Sequence, residues 1–132
     1  MPAQTTKPQL AEYAMYDTDP PLQSLLLNGD GSPIDLTGAT VVINIGWSSG
    51  SYGYSPMERL VDGGACVVAD QGSNLGWVTW NPQSEDLNRW GTFRYNYEVT
   101  NAQGKKRTVA PNGSNFMQIH TPVGGVQYAS PT

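Results

Sequence analysis

Between residues 91 and 100 the chain alternates almost without error. Phe93, Tyr95, Tyr97 and Val99 fall on one side; Thr92, Arg94, Asn96 and Glu98 fall on the other. Period-2 alternation of this kind marks a β-strand with one buried and one wet face. Residues 39–47 repeat the plan, with Val41, Ile43, Ile45 and Trp47 on one face and Val42 and Asn44 on the other. Their β-branched density favours strand over helix. Shorter strands are predicted at 22–27, 57–61, 65–69, 75–81, 107–109 and 114–121, and Val78 and Trp80 share a face in 75–81.

Turn chemistry separates these segments. Asn28-Gly29-Asp30-Gly31, Asp62-Gly63-Gly64 and Asn101-Ala102-Gln103-Gly104 are the strongest signals, because glycine adopts positive φ freely and Asn or Asp tolerates it. The second is read as a hairpin joining two short strands. Gly or Pro interrupts nearly every window that could hold a helix, leaving one helical turn near 84–88. The expected fold is all-β: an antiparallel β-sandwich of Ig-like or Greek-key style with about seven or eight strands. Its core should contain Val41, Ile43, Ile45, Val78, Trp80, Phe93, Tyr95, Tyr97 and Val99. Residues 1–21, polar and proline-rich, are read as an extended arm, 22–121 as the sandwich, and 122–132 as a tail without period.

Composition agrees with strands and turns. Only 14% of the 132 residues are charged and 38% are hydrophobic, with Gly (15) and Pro (10) filling much of the difference. A net charge of −4 argues against nucleic acid as a partner, since phosphate affinity needs clustered Lys and Arg. The one basic run, Lys105-Lys106-Arg107, fits the solvated end of a hairpin. No run reaches the roughly 18–20 apolar residues of a membrane helix, and the N-terminal residues lack the apolar core of a secretory signal. Cys66 is the only cysteine and lies in an apolar run, where a buried, inert thiol is expected.

Covalent chemistry finds few tools. His120 is the only histidine, no GxSxG elbow supplies a nucleophile, and one Cys with one His cannot make the usual zinc sets. Asn28-Gly29-Asp30-Gly31-Ser32 imitates the middle of an EF-hand loop, but Leu26 and Thr37 stand where acidic ligands belong. Asp17 and Asp19 are two carboxylates without further ligands, and Glu85 and Asp86 sit together in a polar loop. The expectation is therefore a protein without catalytic residues, metal or cofactor.

Aromatic residues remain, four Trp and seven Tyr. Those not assigned to the core, Trp47, Tyr52, Tyr54, Trp77 and Trp90, lie at or near loops, and Tyr13, Met15 and Tyr16 lie in the N-terminal arm. Together these eight are the candidate interface, since exposed aromatic clusters mark protein contacts or sugar-stacking platforms.

The order LLLNGDGSPIDLTGATVVINI, then Val78 and Trp80, Asp86, Gly91-Thr92-Phe93-Arg94-Tyr95, Glu98-Val99-Thr100, Gly104 and Pro111 resembles the baseplate-upper-protein N-terminal β-sandwich of tailed bacteriophages. Related small sandwich domains occur in phage minor tail and head-associated proteins. The resemblance covers residues 22–120. It implies a non-enzymatic virion component, made in a bacterial cytoplasm, that docks on capsid or tail/baseplate proteins, in many copies or as a homo-oligomer. The family domain is typically fused to a long fibre region, whereas this chain ends twelve residues after His120. The second expectation is a carbohydrate-binding module, with Trp47, Tyr52, Tyr54 and Trp77 stacking on a host polysaccharide.

Overall fold

Eight strands carry the chain in a computed structural model that describes residues 11–48, 57–111 and 115–121. They are β1 (Ala11–Ala14), β2 (Leu22–Leu25), β3 (Thr40–Ser48), β4 (Met57–Val68), β5 (Trp77–Trp80), β6 (Gly91–Thr100), β7 (Lys106–Val109) and β8 (Phe116–His120). No helix occurs among the described residues. The fold is all-β. One hydrogen-bonded path, β1-β8-β6-β3-β4-β5-β2, joins seven strands, and β7 pairs with β6 beside it. The sheet curls until it is nearly barrel-shaped.

The alternation of β3 and β6 becomes the centre of this sheet. They pair antiparallel from Thr40↔Thr100 to Gly46↔Arg94. Val41, Ile43 and Ile45 therefore lie beside Val99, Tyr97 and Tyr95 on the inner face, and all six are buried. Val78, Trp80 and Phe93 are buried too, with Leu26, Leu36, Leu87, Met117 and Ile119 completing the interior. Tyr97 is fully buried, and its hydroxyl hydrogen-bonds the Ser24 hydroxyl. That contact ties β2, at one end of the path, to β6 near its middle.

Two expectations are corrected here. First, Asp62-Gly63-Gly64 is not a hairpin, because β4 runs unbroken through it. The register passes from Ile43↔Gly64 to Asn44↔Asp62 and from Ile45↔Val61 to Gly46↔Arg59, leaving Gly63 and Leu60 as bulge residues. Gly63 has φ 75°. Its N–H donates to the buried Asn44 Oδ1 at 2.8 Å, which also accepts from Arg59 Nη1 at 2.7 Å. A bulge bends its strand and increases local twist. Beyond it, Cys66, Val67 and Val68 pair with β5.

Second, the sheet is mixed. β1 pairs parallel with β8, from Ala11↔Met117 to Ala14↔His120. Ala11–Ala14, within the segment read as an extended arm, thus contributes a strand to the packed body, and Tyr13 lies inside it at 4% exposure. Its hydroxyl donates to Pro20 O at 2.8 Å, so Tyr13 is a core residue, not a surface contact. The cause is again alternation, with Ala11 and Tyr13 inward and Glu12 outward.

Gly76, just before β5, has φ 83°, and a Cβ there would stand 2.9 Å from Leu26 O and 3.0 Å from the Pro33 Cβ. Left-handed backbone and overpacking both penalise a side chain, so Gly76→Ala should cost about 2–4 kcal/mol. Gly63 shares the positive φ but faces open space, so Gly63→Ala should cost only about 1 kcal/mol. Urea midpoints of the two variants check the ranking; equal losses would contradict it.

Candidate recognition cleft

With the interior filled, open chemistry lies at the surface. The connection from β5 to β6 makes one such place. Asp86 Oδ2 accepts from Gln83 N at 2.8 Å and Asp86 N donates to Gln83 O at 3.0 Å, closing a tight turn. Leu87, fully buried, anchors that turn to the core. Leu87 O accepts from Tyr16 N at 2.8 Å, and Met15 N donates to His120 O at 2.9 Å. The segment after β1 is thereby held against the loop. Tyr16 itself is exposed and has φ 68°, an uncommon conformation for a non-glycine residue.

Between these segments opens a cleft of about 590 Å³. Met15, Trp47 and Phe93 form its apolar part; Asn88, Arg89 and Thr92 supply polar groups, and Trp90 stands at its edge. The Trp47 and Phe93 rings meet edge-to-face at 5.8 Å and 75°. The Arg89 guanidinium carbon lies 4.7 Å from the Trp47 ring centroid, a cation–π contact. Trp90 is 66% exposed, leaving its indole accessible at the cleft. Ion pairs among the described residues join Arg59 to Asp62 and Lys106 to Glu98, and neither involves a residue lining the cleft. Glu58 is the register partner of Trp47 on β4.

Of the eight candidate interface residues, the structure brings Met15, Trp47 and Trp90 to this cleft. Tyr13 is buried. Trp77 belongs to a different surface: on β5 it pairs with Leu25, and Val67 opposite Thr79 shares its outward face. Val67 is 60% exposed and Trp77 38%. Tyr52 and Tyr54 lie outside the described residues, as does the whole of the expected C-terminal tail, 122–132. Sequence reasoning missed Arg89, whose signal was its place immediately before Trp90 at the mouth of an alternating strand.

Groups capable of chemistry are dispersed. The described residues contain no cluster of three or more His, Cys, Asp or Glu able to hold a metal. Asp30 Oδ1 accepts from both Ser32 N and Ser32 Oγ, and Asp35 Oδ1 does the same with Thr37. These bonds, the side-chain hydroxyls first, hold both carboxyls below their ordinary range. The EF-hand look-alike is therefore a self-capped turn. His120 is exposed, with Nε2 4.0 Å from Glu12 Oε2. No protein-family model and no curated protein sequence matches the chain.

Burial pushes the Cys66 thiol up to about 12 from 9.0, and the Tyr13 hydroxyl up to about 12 from 10.0. A folded-state value above the unfolded one stabilises fully below the unfolded value and fades as pH rises toward the folded one. Stability should therefore hold below pH 9, begin to fall as unfolded Cys66 ionises, and fall further from pH 10 to 12 as the tyrosines join. Cys66→Ala should delay the onset from pH 9 to pH 10 in urea titrations. An unchanged onset would contradict the burial assigned to this thiol.

Proposed function

We propose that this chain is a non-enzymatic structural component of a tailed-bacteriophage virion. It acts as a docking module on neighbouring virion proteins, either as a capsid decoration protein or as a tail or baseplate adaptor. The phage assignment rests on the order of strand and turn motifs over residues 22–120. On this reading the curled sheet is a variant of the sandwich, with β4 passing from one layer to the other.

The observation that carries the docking role is the outward face of β4 and β5. A solvated sheet face is usually polar, yet Val67 and Trp77 stand there beside the half-buried Leu25. Contiguous exposed apolar side chains on a rigid sheet favour a protein neighbour. Their strand backbones are held by pairing to β2, β4 and β5, so the patch is presented without an ordering cost.

Val67→Thr should leave the unfolding free energy within about 1 kcal/mol of the parent, since Val67 is 60% exposed. Copies in purified particles, counted by mass spectrometry, should fall about tenfold or more, the effect of losing roughly 1.4 kcal/mol per contact site. Immunogold on intact particles then separates heads from tails. Unchanged incorporation of the variant, or particles lacking the parent protein, would overturn the proposal.

A further inference from the structure

The cleft beside Trp47 is a second surface, independent of the β4–β5 face. We propose that it binds an acidic saccharide, a sugar ring bearing a carboxylate such as a uronic or sialic acid.

Three observations converge. Trp90 is 66% exposed, which opens its indole to a ligand, and aromatic faces pack on the C–H face of a pyranose. Among the described residues Arg89 is the only charged one lining the cleft, and it is a cation in a chain of net charge −4. Its guanidinium lies over Trp47, which orients the planar fork instead of leaving it to wander. A fork held in this way can donate two parallel hydrogen bonds to a carboxylate. Asn88 and Thr92 add amide and hydroxyl groups suited to ring hydroxyls; Thr92 Oγ1 already donates to Gln118 Oε1, leaving its oxygen free to accept. The cleft volume of about 590 Å³ lies within the range of small-ligand sites.

The carboxylates of the two adjoining segments do not line the cleft: Asp86 Oδ2 accepts from Gln83 N and Asp17 Oδ2 accepts from Ala14 N. Pairing each acid with a neutral sugar reports whether the charge of Arg89 is available to a ligand.

The test titrates the full chain, at low salt, with trigalacturonate, a glucuronate oligomer and sialyllactose, each against its neutral counterpart, by calorimetry and tryptophan fluorescence. At least one acidic sugar should bind saturably and about tenfold or more tighter than its neutral analogue. Arg89→Gln should erase that preference, Arg89→Lys should restore part of it, and Trp90→Ala should weaken binding about tenfold. Val67→Thr should bind as the parent does, so failure of the docking proposal and failure of this one remain distinguishable. Absence of saturable binding by all three acids, equal affinity for the neutral sugars, an unaffected Arg89→Gln, or tighter binding of a Glu-rich peptide would each overturn it.

Discussion

The architecture depends on one side-chain amide. Asn44 Oδ1, buried inside a strand, accepts from the backbone N–H of Gly63 and from Arg59, and so holds the bulge in β4. A buried amide oxygen left without donors costs roughly 1–3 kcal/mol, so the bulge and Asn44 stabilise each other. Because β4 bends there, its first part pairs with β3 and its last residues with β5. The same covalent strand thereby brings β5 and β2 round to the interior face of β6, where Ser24 meets Tyr97. Trp80 packs closely over the bend at Gly64, where a Cβ would stand 3.0 Å from Trp80 Nε1.

That closure decides where binding can occur. Tyr13, Tyr95 and Tyr97 face inward, and burial raises all three hydroxyls above their ordinary range, so these groups serve packing. What remains for partners is the outside. It offers two chemically different surfaces: an aliphatic–aromatic face on β4 and β5, and a cleft where a guanidinium rests on an indole. The first suits a flat protein neighbour, the second a small polar ring. Both are mounted on paired strands or on a loop anchored by Leu87, which limits the entropy lost on binding.

The central strands were legible from residue order because their two faces differ so sharply; Phe93, Tyr95, Tyr97 and Val99 leave no alternative register. The Asn101–Gly104 turn was equally legible, since its chemistry is local: Asn101 Oδ1 accepts from Gln103 N and Lys105 N. Asp62-Gly63-Gly64 was misread because a glycine bulge and a glycine hairpin look alike over three residues. The difference lies in Asn44, nineteen positions away. β1 was hidden for a similar reason, as Ala11–Ala14 is short and its parallel partner is more than a hundred residues distant in sequence. The cleft was half legible. Its tryptophans stood out, but the stacking of Arg89 on Trp47 joins the β5–β6 loop to strand β3, which only the fold brings together.

Amide hydrogen exchange along β4 tests most directly whether one bent strand unites the structure. The account predicts that the amides of Val61 through Val68 exchange with a common free energy, shared by the paired residues of β3 and β5. Much faster exchange at Cys66–Val68, together with β5 and β2, while β3 and β6 stay protected, would contradict it and show two layers that open separately.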